Sequence, residues 1–205
     1  MNIFFDLDGT LIDSRLRLYR LFCNLTNQTL LSFEEYWKLK RNMSDHRKIL
    51  SEYFNYTDDK IDTFQKEWLN LIETEEYLSI DKLFDFTKNV LDNLTVKNFN
   101  LYIVTARQSK LMAYKQLLAI GIFDYFKAIL VTENKKSKAQ LILDTVNNLN
   151  ENDILIGDTG LDIKTAKELN IKSMAVLSGF RNRSILQNYN PDYIENNIQK
   201  VMKYV

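Results

Sequence analysis

The sequence holds one cysteine, one histidine, one proline and five glycines among 205 residues. A single cysteine, Cys23, excludes an intrachain disulfide and favours an intracellular setting. No histidine or second cysteine stands near it in sequence, so it reads as a small core hydrophobe. Net charge is also missing, because 27 basic residues balance 27 acidic ones. That balance argues against a broad nucleic-acid-binding face and leaves room for a local anionic ligand. No apolar run approaches the roughly 18 residues that a membrane span requires. The N-terminus lacks a basic leader, and Asp6 and Asp8 interrupt its apolar start, so it does not read as a signal peptide. These absences predict a soluble cytoplasmic protein with no nucleic-acid or membrane partner, and they leave its oligomeric state, monomer or homodimer, open.

What is present is an ordinary globular composition, 45% hydrophobic and 26% charged, in a chain long enough to bury a core. Short apolar runs bounded by turn signals predict buried strands: "NIFF" (2–5), "NLYIVT" (100–105), "KAILVT" (127–132), "DILIG" (153–157) and "KSMAVL" (172–177). Segments with helical spacing lie between the later ones, at 107–119, 136–149 and 160–169. Strands alternating with helices predict an α/β fold, a parallel sheet covered on both faces. Gly121, Gly157, Gly160 and Gly179 each fall near a predicted element end. The tail, "YNPDYIENNIQKVMKYV", reads as a short edge strand followed by a closing helix.

Residues 14–80 differ. "RLRLYRLFCNL", "FEEYWKLKRNM" and "KIDTFQKEWLNLIETEEYL" read as amphipathic helices with no strand among them. The expected organisation is an α/β core from 1–13 and 81–205, interrupted by a helical domain at 14–80. No flexible linker separates the two.

In open parallel sheets, ligands sit beyond the carboxyl ends of the strands. The polar residues that follow each predicted strand are Asp6, Asp8 and Thr10, then Thr105 and Arg107, then Lys135, Lys136 and Lys138, then Asp158 and Asp162. Residues two apart in extended backbone point to one side, so Asp6 and Asp8 face the same way with Leu7 turned from them. Acids, hydroxyls and a lysine therefore converge on one edge.

These motifs resemble those of the haloacid dehalogenase superfamily of aspartate-nucleophile phosphotransferases. "DLDGT" is similar to its first motif, Thr105 to its second, a lysine within 135–138 to its third and "GDTGLD" to its fourth. The resemblance covers essentially the whole chain and is closest to the phosphatase branch, like phosphoglycolate phosphatase and β-phosphoglucomutase, that inserts a helical cap after the first strand. It implies a Rossmann-like sheet in strand order 3-2-1-4-5 with an α-helical bundle as cap. It also implies a magnesium-dependent phosphomonoester hydrolase for a small phosphorylated metabolite. Asp6 would form an aspartyl-phosphate and Asp8 would act as general acid and base. Magnesium (Mg2+) would be held by the Asp6 carboxylate, the main-chain carbonyl of Asp8 and Asp158, with Asp162 binding through water or supporting the shell. Thr105 would bind a phosphoryl oxygen, and Lys136 matches the lysine of the third motif, with Lys138 as the alternative.

Other readings stand beside these. Thr10 is either a substrate contact or a turn cap, and Arg107 either a phosphate ligand or a surface helix residue. Thr105 doubles as a possible N-cap for a helix from Arg107. Arg41, Asn42, Ser44, His46 and Arg47 lie where relatives present a specificity loop, and Arg41 and Arg47 are the expected substrate contacts there. Ser44 and Asp45 read as a helix start. Phe33, Tyr36, Trp37, Phe64 and Trp68 lie at helical spacing and read as the core of the helical domain. The same catalytic residues would serve a sugar phosphomutase. A noncatalytic binding module would ordinarily have lost one of the acids, all of which are present.

Overall fold

A computed structural model describes residues 1–42 and 45–205. Along the chain run β1 (Asn2–Phe5), β2 (Ile12–Asp13), α1 (Arg15–Thr26), α2 (Phe33–Arg41), α3 (His46–Phe54), α4 (Asp58–Leu71) and α5 (Glu75–Leu78). There follow β3 (Lys82–Leu83), α6 (Thr87–Val96), β4 (Asn100–Thr105), α7 (Lys110–Ala119), β5 (Ala128–Val131) and α8 (Lys138–Thr145). The last elements are β6 (Ile154–Gly157), α9 (Gly160–Glu168), β7 (Lys172–Val176), α10 (Arg183–Gln187) and β8 (Tyr193–Glu195), closed by a 3-10 segment at Ile198–Lys203. The chain divides into two compact units, Met1–Asp13 with Lys82–Val205, and Ser14–Asp81.

In the first unit six strands form one sheet in the order β5-β4-β1-β6-β7-β8, and every pairing is parallel. The five strands expected at the outset stand 3-2-1-4-5, and the tail adds a sixth at the edge beside β7. The period-2 alternation of strands sorts side chains between two cores. Ile3, Phe5, Leu101, Ile103, Ile129, Val131, Ile154 and Ile156 pack on one face with Val90, Leu91 and Leu94 of α6 and Ala113 and Leu117 of α7. Phe4, Tyr102, Val104, Leu130 and Leu155 pack on the other with Ala139 and Ile142 of α8 and Ala166 of α9. Because both faces are covered, the strands read as unbroken apolar runs rather than as alternating ones. Asp153, fully buried at the opposite edge from the strand ends, accepts the main-chain N–H of Asn2 at 2.6 Å and its side-chain N–H at 3.0 Å, tying β6 to β1.

The helical unit packs α1 against α2, α4 and α5, and α3 against α4. Tyr36, Trp37 and Phe64 are buried in it as expected, and Phe22, fully buried, meets the rings of Tyr36, Phe54 and Phe64. Arg17 and Asp81 are both buried and joined, Nε to Oδ1, at 3.0 Å, while Arg17 Nη1 donates to the Ile72 carbonyl at 2.9 Å. Ser32 and Glu35 form a capping box at the start of α2.

The scarcity of glycine has a structural counterpart. Six asparagines, Asn27, Asn55, Asn98, Asn134, Asn170 and Asn190, adopt positive φ among the described residues. Asparagine tolerates the left-handed region through local side-chain hydrogen bonding, so it ends α1 and α3 where glycine is commoner.

The segment expected as one helix over 60–78 is broken into α4 and α5. In the first unit, three helix boundaries differ from expectation by two residues or more. Two of the second-half helices start later than expected, α7 at Lys110 and α8 at Lys138, while α9 starts at Gly160 as expected. Their N-caps are serines: Ser109 accepts from the Met112 N–H at 3.2 Å and Ser137 from the Gln140 N–H at 3.1 Å. Thr105 therefore does not cap α7, and Arg107 lies in the loop before it rather than on a helix surface. Helix α8 ends at Thr145, short of the expected 149. The expected helix start at Ser44 and Asp45 is met by Asp45, which accepts from the Lys48 N–H at 2.8 Å, while Ser44 lies outside the described residues.

Candidate active site

The first segment carries β1 directly into the site. Asp6 continues the ladder by donating its main-chain N–H to the Ile156 carbonyl at 2.8 Å, which fixes its side chain at the carboxyl end of the sheet. The chain then turns sharply, with the Gly9 N–H reaching the Ile12 carbonyl at 2.8 Å and the Leu11 N–H the Leu7 carbonyl at 3.0 Å. Gly9 has φ +82°, and a Cβ there would lie 2.6 Å from Asp158 Oδ2. The turn needs glycine both for its backbone and for the space it leaves to Asp158.

Asp6, Asp158 and Asp162 are all buried, and each offers a carboxylate oxygen within 4.8 Å of the others. Lys138, the first residue of α8, places Nζ 2.6 Å from Asp6 Oδ1 and 2.6 Å from Asp162 Oδ1. Asp162 Oδ2 also accepts from the Thr159 N–H at 3.1 Å and its hydroxyl at 2.7 Å, at the start of α9. Asp158 Oδ2 accepts the Phe180 N–H from the loop after β7. Its Oδ1 is buried without a hydrogen-bond partner among the described residues. Asp8 is held differently: Arg107 donates Nε to Oδ2 at 2.8 Å and Nη2 to Oδ1 at 2.9 Å. Thr105, buried at the end of β4, completes the edge.

Burial dominates the electrostatics. It pushes the Asp6 carboxyl up to about 7, against the pull of Lys138. Burial, with Asp6 and Asp162 adding repulsion, raises Asp158 well above the usual carboxylate range. Burial works against the charge of Lys138 too, but Asp162 and Asp6 outweigh it and keep its ammonium above the ordinary lysine value. Anions crowded this closely cannot all ionise without a counter-charge. The residues fit a divalent cation: hard carboxylate oxygens within reach of one another, and one buried oxygen, Asp158 Oδ1, with no hydrogen-bond partner among the described residues. Asp162, whose two oxygens already have protein partners, is suited to supporting that shell.

Of the residues singled out in the sequence, Asp6, Asp8, Thr105, Arg107, Asp158 and Asp162 come together in the first unit. Lys136 does not. It lies on the surface, paired with Asp144 at 2.7 Å, and the lysine at the acid cluster is Lys138. The reason is the helix start: with Ser137 as N-cap, the next side chain is the one directed at the strand ends, and Lys136 precedes the helix. Thr10 is fully buried, its hydroxyl without a hydrogen-bond partner among the described residues, so it does not cap the turn. Arg41, Arg47 and His46 belong to the helical unit. Arg47 is committed to Asp58 and Asp62 of α4, at 2.5 Å each. The His46 ring packs on Trp68 and lies 2.9 Å, Nε2 to Oη, from Tyr36.

The loop 177–180 was overlooked at the sequence level. Besides the Phe180 N–H, Ser178 donates its hydroxyl to the Gly9 carbonyl at 2.8 Å, and a side chain on Gly179 would collide with Asp158. The signal was available, since the rule of collecting residues after each strand applies to the fifth strand as well as to the first four.

A parallel, doubly covered sheet with buried acids and a buried lysine at its carboxyl edge defines an α/β enzyme with a metal-competent site. The chain belongs to the haloacid dehalogenase-like hydrolase family, whose model matches residues 3–176, and the resemblance read from its motifs is borne out. It is 26% identical to the pyrophosphatase PpaX of Oceanobacillus iheyensis, over 100% of this chain and 96% of that one. It is 27% identical to a phosphoglycolate phosphatase of Aquifex aeolicus, over 87% of this chain and 85% of the relative. Among solved structures it is similar to a haloacid dehalogenase-like family hydrolase from Streptococcus pneumoniae, with TM-score 0.80 and 26% identity over 99% of this chain and 97% of the other. No described helix is long and apolar enough to cross a membrane.

Proposed function

We propose that this hydrolase is a magnesium-dependent phosphatase for a small phosphorylated substrate, acting through an aspartyl-phosphate on Asp6. The observation that carries the reading is the buried Asp6–Asp158–Asp162 cluster bridged by Lys138, with Asp8 two residues from the nucleophile. The names of the relatives, pyrophosphatase and phosphoglycolate phosphatase, support a small anionic substrate.

In the first step an Asp6 carboxylate oxygen attacks phosphorus, the bond from phosphorus to the leaving oxygen breaks, and Asp8 gives that oxygen a proton. In the second, Asp8 takes a proton from water as the water oxygen attacks the phosphoryl-aspartate, releasing inorganic phosphate and restoring Asp6. Lys138 holds Asp6 in place and offsets part of the acid charge throughout. The Thr105 hydroxyl donates to a phosphoryl oxygen that gains charge in the transition state. Asp6, Asp158 and the Asp8 carbonyl, with Asp162 behind them, would hold magnesium, which would supply positive charge between an anionic phosphate and an anionic nucleophile. We assign substrate selection to the helical unit, which is inserted after the first strand segment as in the family the motifs resemble.

The test is phosphate release from p-nitrophenyl phosphate with magnesium, with a chelator, and by Asp6→Asn. Activity is expected only for the wild-type chain with metal. Turnover by Asp6→Asn at the wild-type rate, or full activity in chelator, overturns the mechanism.

A further inference from the structure

The loop after β7 touches two other segments of the acid site. Ser178 donates its hydroxyl to the Gly9 carbonyl at 2.8 Å, and the Phe180 N–H donates to Asp158 Oδ2. Gly179 lies between these contacts. A Cβ on Gly9 would come 2.9 Å from the Gly179 Cα, and a Cβ on Gly179 would fall on the Asp158 carboxylate. Gly179 is buried and its φ is not positive, so space rather than backbone freedom requires glycine there. Three consecutive residues thus meet both the turn after β1 and the acid after β6.

The loop is itself held at both ends. Before it, the Leu177 N–H donates to the Glu195 carbonyl at 3.0 Å, which extends the pairing of β7 with β8. After it, the Asn182 side chain accepts the Ile185 N–H at 3.0 Å and starts α10, whose Leu186 is fully buried. A loop anchored to sheet and helix passes their rigidity to whatever it touches.

Each contact bears on a different expected metal ligand. Gly9, at φ +82°, is the most permissive point of its turn, so the peptide planes on either side of it need fixing. The preceding plane carries the Asp8 carbonyl, and its N–H, that of Gly9, is bound to the Ile12 carbonyl at 2.8 Å. The following plane carries the Gly9 carbonyl, which Ser178 holds. On the other side, the Phe180 N–H engages Asp158 Oδ2, and Oδ1 is the oxygen without a hydrogen-bond partner among the described residues. We infer that residues 178–180 form a clip and that Ser178 is its positioning residue. Through the Gly9 carbonyl, Ser178 sets the turn bearing Asp8 against Asp158 before any metal arrives. The purpose of the clip rests on the metal-dependent reading of the site. Ligands held in place beforehand lose less freedom on binding and so bind more tightly.

Two measurements test it. The first is calorimetric titration with magnesium, which needs no turnover. Ser178→Ala is expected to weaken binding by about tenfold, the scale on which hydrogen bonds behind metal ligands act. Ser178→Thr keeps the hydroxyl and is expected to stay within about twofold of wild type. Wild-type affinity in Ser178→Ala, or an equal loss in Ser178→Thr, overturns the proposal. Gly179→Ala pushes the loop off Asp158 and is expected to weaken binding by about tenfold or more. Unchanged affinity in that variant also overturns the clip, and it decides the matter should Ser178→Ala fail to fold.

The second measurement is amide hydrogen exchange on the metal-free chain. In Ser178→Ala the Gly9 and Phe180 N–H groups are expected to exchange about fivefold faster than in wild type, as loss of one hydrogen bond allows. The Asp6 N–H, bonded to the Ile156 carbonyl in the sheet, is expected to keep its rate. Unchanged rates at Gly9 and Phe180, or an equal rise at Asp6, overturn the proposal. If the wild-type chain binds no magnesium, the metal-dependent reading fails, and the exchange rates still decide whether Ser178 holds the turn.

Discussion

Lys138 Nζ stands 2.6 Å from Asp6 Oδ1, across 132 residues of chain, and both side chains are buried. The lysine enters from the first position of a helix and the aspartate from the end of the central strand. Their contact joins two segments of the site, and it depends on Ser137 serving as the N-cap so that α8 starts at Lys138. Removing the ammonium leaves Asp6 and Asp162 repelling one another in a dry setting. Lys138→Met is therefore expected to lower kcat by about 10²-fold or more and to cost about 3–5 kcal/mol of stability in the absence of metal. Lys136→Met, which breaks only an exposed pair with Asp144, is expected to change stability by less than about 0.5 kcal/mol. Phosphatase assays and urea midpoints on the two variants check the contrast. Equal effects would return the role to Lys136.

Gly9 combines a positive φ with proximity to Asp158. Gly9→Ala introduces both backbone strain and a collision with the carboxylate, so it is expected to destabilise by about 1–3 kcal/mol and to weaken metal binding as well. Gly121 also has positive φ, +68°, but a Cβ there meets only the flexible end of Lys88 at 3.4 Å. Gly121→Ala is expected to lower the denaturation midpoint without affecting metal affinity. Calorimetric titration with magnesium alongside urea denaturation separates strain from loss of the site.

Magnesium should stabilise the chain by linkage, by about 2.7 kcal/mol at one hundred times its dissociation constant. Asp158→Ala is expected to abolish that stabilisation. The sign with pH follows from Asp6, whose pKa is raised from 3.8 to about 7. Protons compete with metal for its oxygens below that value, so affinity is expected to fall by up to about tenfold per pH unit between pH 7 and 5. Thermal melting with and without magnesium at pH 8 and pH 6 gives the readout, and a metal shift as large at pH 6 as at pH 8 would count against Asp6 as a ligand.

His46 supplies a second pH effect, within the helical unit. Burial, aided by the positive charge of Lys40, holds its imidazole well below 6.5. The ring is enclosed by Phe22, Tyr36, Phe64 and Trp68. Neutral in the folded state, it gains a proton on unfolding once the pH drops below about 6.5. More protons are then bound by the unfolded chain, so the His46 contribution to stability falls as pH decreases, by at most about 1.4 kcal/mol per unit. His46→Gln, which keeps a hydrogen-bond partner for Tyr36, is expected to be less acid-sensitive than wild type. Urea midpoints at pH 7.5 and pH 5 check this, and parallel losses in both proteins would rule out a buried neutral histidine.

The five long strands were legible because a sheet covered on both faces needs continuous apolar runs, and few other segments in the chain have them. Asp6, Asp8, Asp158 and Asp162 were legible for the complementary reason: acids directly after such runs are costly to bury and rarely stand there without a use. Helix starts were less so. Arg107 and Lys136 were read as helix-proximal because Ser109 and Ser137 were not recognised as N-caps, and serine signals are easily lost among polar neighbours. The pairing of Arg107 with Asp8 carried no sequence signal, since 99 residues separate the partners.

The sequence by itself determined the class of fold, the edge of the sheet on which chemistry is placed and the acids that stand there. Local hydrophobic periodicity and the rule that ligands meet strand ends are short-range properties, readable from neighbours along the chain. Only the tertiary structure decided that Lys138 rather than Lys136 meets Asp6, that Arg107 closes on Asp8, and that Phe180 and Gly179 shape the space around Asp158. Those outcomes depend on where separate segments cross at the carboxyl edge, on helix starts that shift a side chain by a residue or two, and on the cost of leaving a buried charge unpaired. A difference of two positions at the head of α8 directs one lysine at the acid cluster and leaves the other in solvent.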